Sequence, residues 1–136
     1  MNKDPAILYV ENDVQSREIM SLLLTEVMGL SNVTIFADSS DFLPRVEQIQ
    51  PKPAVILLDI HVPPHDGLDM LQMLRRQGGF HHTPIVALTA SVMHEEVHRL
   101  KVAGFNGVIP KPIDLDVFPD MLNQILRGVE IWHVIQ

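Results

Sequence analysis

Residues 54–59 read Ala-Val-Ile-Leu-Leu-Asp. Five apolar residues, two of them β-branched, follow a stretch broken by Pro51 and Pro53 and run without interruption into an acid. A strand with one wet face alternates apolar and polar residues. An unbroken run of this length, bounded in this way, fits a strand buried on both faces, as in a parallel sheet covered by helices. Asp59 is the first polar residue after the run, so a carboxylate is expected at the strand's carboxyl end.

Outward from that strand the pattern continues. Upstream, Ala6–Val10 is another uninterrupted apolar run, closed by Glu11-Asn12-Asp13. Ile19, Leu23 and Val27, beside Met20, Leu24 and Met28, recur at helical spacing until Gly29 stops the helix. Val33–Ala37 reads as a strand, and Ser39 or Ser40 is the expected cap of a helix carrying Phe42, Val46 and Ile49. Downstream of Pro63-Pro64, Gly67 opens a helix with Leu68, Leu71 and Leu74 inward, closed by Gly78-Gly79. Pro84 leads into Ile85–Leu88, again fully apolar. Thr89-Ala90-Ser91 begins a helix with Met93, Val97 and Leu100 on one face, ended by Gly104. Gly107–Ile109 is the fifth expected strand, Pro110-Lys111-Pro112 turns the chain, and Asp114 caps a last helix with Phe118, Met121, Leu122 and Ile125. Five strands and five helices in strict alternation make a doubly wound α/β domain around a five-stranded parallel sheet.

Composition sets the outer bounds. The chain has 136 residues, 46% apolar and 20% charged, enough for one domain with its own core. It has no cysteine, which excludes disulfides and thiolate metal sites. The amino terminus meets Glu11-Asn12-Asp13 after five apolar residues, too few for a signal-peptide core. No apolar run nears the roughly 18 residues of a membrane span. A cytoplasmic location without membrane association is therefore expected. A formal net charge of −7, with no basic cluster, repels phosphate backbones, so direct nucleic-acid binding is not expected. Residues 1–136 read as a single domain without repeats or linkers and without room for an output domain, residues 129–136 being a C-terminal extension.

In an open parallel sheet, ligands bind at the carboxyl ends of the strands. Strand one ends in Glu11-Asn12-Asp13, strand three in Asp59 and strand four in Thr89, while Lys111 follows strand five. All should face one crevice. Nucleotide-binding folds place glycines after strand one to cradle phosphate; here that position holds two carboxylates, and Asp59 adds a third. Carboxylates so close raise one another's pKa unless a cation offsets them. Oxygen-rich, sulfur-free surroundings favour a hard divalent ion such as Mg2+. With Lys111 as a fixed positive charge and Thr89 as a hydroxyl donor, the set suits a phosphoryl group arriving on a carboxylate.

Four stretches, ILYVEND (7–13), VILLDIHVPPHDGL (55–68), PIVALTA (84–90) and GVIPKP (107–112), resemble the response-regulator receiver family of two-component signalling, the CheY-like receivers, over essentially the whole chain. The resemblance implies a flavodoxin-like sheet of order 2-1-3-4-5. It implies that Asp59 is the phosphoacceptor, modified by a histidine kinase or phosphotransfer protein. Glu11, Asn12, Asp59 and the backbone carbonyl of His61 match the Mg2+ site. Thr89 matches the hydroxyl that swings towards the phosphate, and Lys111, before a proline often preceded by a cis bond, matches the phosphate-pairing lysine. Ala90 matches the small residue that leaves the site open. Such a protein is not an enzyme beyond assisting its own phosphorylation and dephosphorylation. It would signal to a downstream protein through the face made by helix four, strand five and helix five.

Two positions depart from the family pattern. Asn12 stands where a second acid is usual, removing a charge worth about 4 kcal/mol at 4 Å before desolvation and screening. Asp13 is a candidate replacement, although its simpler role is a helix cap. Val108 occupies the place of the switch aromatic. Both departures support an alternative, a degenerate receiver acting as a phosphorylation-independent interaction module.

His94-Glu95-Glu96-Val97-His98 matches the H-E-x-x-H zinc pattern, but no third ligand stands out downstream, and a solvated helix face accounts for it better. The histidines of His81-His82, and His61 and His65, read as loop residues. The tail Val129–Ile135, with Trp132, either packs on the body or forms a partner or homodimer contact, since apolar tails are seldom left in water.

Overall fold

Each apolar run becomes a strand: β1 (Ile7–Val10), β2 (Val33–Phe36), β3 (Val55–Asp59), β4 (Ile85–Thr89) and β5 (Gly107–Pro110). In the computed structural model, which describes residues 4–132, they form one sheet in the order β2-β1-β3-β4-β5, and every pairing is parallel. β1, β3 and β4 are buried at every residue, as their unbroken apolar character requires.

The period of two along each strand divides the core between two faces. Ile7, Tyr9, Leu57 and Leu88 pack with helices α1 (Val14–Ser21) and α5 (Phe118–Leu126). Leu8, Val10, Ile56 and Leu58 pack with α2 (Phe42–Glu47), α3 (Gly67–Arg76) and α4 (His94–Ala103). The doubly wound sandwich read from the sequence is the fold observed.

Local details differ where tertiary context outweighs spacing. After Ser21 the first helix continues through Leu22–Val27 as a wider turn bonded i to i+5, so Met28 N–H donates to the Leu23 carbonyl. Widening breaks the expected 19-23-27 stripe. Met20, Leu23 and Leu24 are buried, whereas Ile19 and Val27 are largely exposed. Neither Ser39 nor Ser40 caps α2; Asp41, at φ 45°, precedes it without a side-chain cap. Helix α4 begins at His94 rather than at Thr89-Ala90-Ser91, leaving Met93 exposed ahead of the helix. Asp114 closes a turn before α5, its carbonyl accepting from the Val117 and Phe118 amides. The helix itself starts later, with Pro119 in its first turn, where no amide hydrogen is needed.

Beyond α5 the chain turns at Gly128 (φ 90°), and Ile131 forms a parallel bridge to Gly107. The packed alternative therefore holds for the tail up to Trp132; its remainder, like residues 1–3, lies outside the described residues. No helix among the described residues is long and apolar enough to cross a membrane.

The shifted face of the first helix has a direct test. Leu23→Ala should cost about 2–4 kcal/mol of unfolding free energy, as cavity formation in a core does. Ile19→Ala should cost about 1 kcal/mol or less because its site is largely wet. Denaturant titration of the two variants checks the order; equal losses would restore the regular helix.

Candidate functional site

Parallel register carries the polar residues to one rim. Val10 pairs with Leu58, so Glu11 and Asp59 stand level, one step beyond. Thr89 pairs with Pro110, and the Lys111 amide donates to the Thr89 carbonyl at 2.9 Å. Glu11, Asp59 and Thr89 are buried. Lys111 reaches in between the acids: its Nζ donates to Glu11 Oε1 at 3.0 Å and lies 3.4 Å from Asp59 Oδ2. The Lys111-Pro112 bond is cis.

The loops are held by specific contacts. Asp59 Oδ1 accepts from the His61 amide at 3.2 Å, and Thr89 Oγ1 accepts from the Ser91 amide at 3.1 Å. Gly67 donates its amide to the Ile60 carbonyl at 2.9 Å. A Cβ at Gly67 would fall 3.0 Å from Ile60 Cα and 3.2 Å from the Asp59 carbonyl, so only glycine lets the start of α3 lie this close to the end of β3.

The response regulator receiver domain family matches residues 7–123. The chain belongs to that family. The receiver is 31% identical over 110 residues to the osmosensing histidine protein kinase SLN1 of Saccharomyces cerevisiae, covering 79% of this chain but only 9% of that kinase. It is 27% identical over 127 residues to chemotaxis protein CheY-3 of Vibrio cholerae, covering 93% of this chain and 95% of the relative. Its fold superposes, with a TM-score of 0.78 and 24% identity, on the receiver domain of sensor histidine kinase PA1611 from Pseudomonas aeruginosa, solved with a magnesium ion coordinated in its active-site cleft; 93% of this chain and 99% of that one are covered.

Within this receiver the expected residues divide. Glu11, Asp59, Thr89 and Lys111 converge. Asn12 is exposed beside them and Ala90 is exposed next to Thr89. Asp13 does not join the acids, because its Oδ2 accepts from both the amide and the hydroxyl of Ser16 at 2.8 Å and caps α1. Val108 is fully buried in the core between the sheet and α2–α4. His94, Glu95 and His98 are exposed on α4, and no three His, Cys, Asp or Glu side chains among the described residues gather as a metal site. His81 and His82 line a surface cleft with Lys52 and Pro84 at the opposite end of the sheet.

Three residues that the pattern did not place at the site shape it. Tyr9, buried inside an apolar run, donates its hydroxyl to Glu11 Oε1 at 2.8 Å. Arg17 donates to the Glu11 carbonyl at 3.0 Å. Ser39 is fully buried and ties the loop after β2 to the loop after β3 through the backbone of Pro63 and His65. Tyrosine's polar end was the available signal, since a buried phenol needs a partner.

One ammonium faces two buried carboxylates, and the titration reflects that imbalance. Burial and the hydrogen-bonding neighbour Glu11 push Asp59 up to about 6. Burial opposes ionisation of Glu11 as well, but hydrogen bonding from the Asp59, Tyr9 and Lys111 side holds it below the ordinary carboxylate range. Lys111 loses hydration, yet the two acids outweigh that loss and raise its pKa. Burial, then the bond to Glu11, keeps the Tyr9 phenol protonated.

Because the Asp59 carboxyl rises from 3.8 to about 6 on folding, the native state holds a proton there that the unfolded chain releases. Its stabilising contribution is complete below pH 3.8 and is lost as pH rises through about 6. Without divalent cations, Asp59→Asn should therefore stabilise the receiver at pH 8 by about 1–3 kcal/mol, the gain falling to roughly half of that at pH 5 and vanishing only below the unfolded value of 3.8. Urea unfolding at the two pH values in a chelator reads this; a variant no more stable at pH 8 contradicts the buried charge excess.

Proposed function

We propose that this receiver takes a phosphoryl group on Asp59 from a histidine kinase or phosphotransfer protein, in the presence of Mg2+, as the response regulator of a two-component pathway. The observation that carries the reading is Lys111 Nζ held between Glu11 and Asp59 at the open end of the sheet. A carboxylate oxygen of Asp59 attacks the phosphorus of a phosphohistidine; the P–O bond forms as the P–N bond breaks, and the imidazole leaves with the nitrogen's electron pair. Lys111 offsets charge on the transferred group, and Thr89 orients one of its oxygens through the hydroxyl. Ala90, exposed at the mouth, gives a donor room to approach. The receiver acts on its own aspartate alone and is not an enzyme toward other substrates.

The donor set fits Mg2+. Glu11 and Asp59 supply two carboxylates whose combined charge exceeds that of Lys111, and hard oxygens are what this ion prefers. Glu11, Asp59, the Asn12 amide and the His61 carbonyl would hold it, and the bound ion would supply charge neutralisation for the incoming phosphoryl oxygens. With Asn12 in place of an acid and Asp13 committed to Ser16, affinity is expected to be modest. The cytoplasm, where kinase and donor are available, is the proposed location. The face of α4, β5 and α5 is the proposed contact for a downstream protein.

Mass spectrometry after incubation with acetyl phosphate tests the reading. The chain should gain one phosphate with Mg2+ and none in chelator, and Asp59→Ala should gain none in either. A variant that still gains it removes the assignment. Asn12→Asp should tighten Mg2+ binding roughly tenfold or more, the size expected for one added charge near a divalent ion. If the native chain shows neither phosphate gain nor saturable Mg2+ binding in the millimolar range, it acts instead as a phosphate-independent interaction module.

A further inference from the structure

The outer edge of β5 is closed by the chain's own tail, and the closure has the features of a binding site. Val108 N–H donates to the Ile131 carbonyl at 2.7 Å, and Gly107 and Ile131 form a parallel bridge. Two residues on from Val108, on the same side of the strand, Pro110 has no amide hydrogen. The edge therefore presents one outward donor within β5, and the tail takes it.

Side chains follow the alternation of a true sixth strand. Ile131 packs into the core shared with α1 and α5, and Trp132 into the core shared with α2–α4. Lys101, on α4, places its Nζ 5.4 Å from the centre of the Trp132 ring, within cation–π range. The Trp132 indole donates to Glu130 Oε1 at 3.0 Å. Gly107 is the floor of the site: a Cβ there would lie 2.6 Å from the Ile131 carbonyl oxygen and 3.1 Å from its nitrogen. No other residue leaves room for the docked backbone.

We propose that the β5 edge, with the flank of α4, is a docking site for an extended peptide of acidic–aliphatic–aromatic character, occupied in cis by Glu130–Trp132 and open to a partner protein's segment of that chemistry when the tail lifts. Strand addition supplies main-chain pairing, and alternate side chains supply selectivity. Among the described residues the attachment in cis is one bridge beyond a turn at Gly128. A tethered segment nevertheless competes at an effective concentration on the order of millimolar, so the intact chain hides the site from weak ligands. The site does not depend on the chemistry at Asp59.

The probe is a fluorescein-labelled peptide of residues 128–136, followed by anisotropy. Full-length Ile131→Asp/Trp132→Ala, altered only in the tail, should bind it at least about tenfold more tightly than the native chain, because the tethered competitor is removed. Adding Gly107→Val to that variant should abolish saturable binding. Equal binding by the native chain and the tail variant, or undiminished binding with Gly107→Val, overturns the proposal. Should Gly107→Val fail to fold by circular dichroism, the first comparison still decides, together with Trp132, the only tryptophan in the chain. Quenching of its emission in the native chain should increase as unlabelled peptide, with Phe in place of tryptophan, is added. Unchanged quenching at saturating peptide is a further result against displacement.

Discussion

Burying two carboxylates beside a single ammonium is costly, because each charge gives up its hydration and one negative charge stays uncompensated. Glu11, Asp59 and Lys111 meet this cost with hydrogen bonds from the Tyr9 hydroxyl and the Asp13 and His61 amides. No buried side-chain polar atom among the described residues lacks a partner. The surrounding fold can be read as the apparatus that holds this excess in place. Parallel register sets Glu11 and Asp59 level, the strand beside β4 delivers Lys111, and Gly67 lets α3 close against β3 without pushing it out of line.

The rim is stiffer than a set of surface loops would be. Ser39, with no exposure of its own, donates its hydroxyl to the His65 carbonyl and accepts from the His65 amide, so the loop that follows Asp59 is anchored from below. Arg17 fixes the Glu11 backbone from α1. What is missing is equally physical. Asn12 brings a dipole where a second acid would bring a charge, and Asp13 cannot make up the difference while its oxygen caps a helix. The site thus offers cations a weaker field than a third carboxylate would give. Val108 is packed into the core and offers no aromatic ring at that position.

β5 has two edges with different work. Its inner edge pairs with β4 and leads into Lys111; its outer edge would be an open invitation to strand pairing. Pro110 removes one donor and the tail satisfies another. The first helix solves a comparable problem differently: its wide turn brings Leu23 and Leu24 together into the core at the expense of leaving Val27 in water.

Several features were legible in one dimension. Unbroken runs such as 55–58 and 85–88 fit strands buried on both faces, and the alternation of runs with helical stripes leaves little besides a doubly wound sheet. Because polar residues follow each run directly, the rim and its members Glu11, Asp59, Thr89 and Lys111 were readable too. Several caps and helix starts were not, although α3 does begin at Gly67 as read. Ser39, Thr89 and Asp114 all have the chemistry of a cap, and which partner each finds depends on neighbours far along the chain. Nor could composition alone distinguish Tyr9 from the aliphatic residues around it, whereas the cap role read for Asp13 is the one observed. Local spacing determines which runs become buried strands and which polar residues stand at their ends. Distances between charges, the direction of a hydroxyl and the need for Gly107 beneath a returning tail arise only when distant segments share the same space.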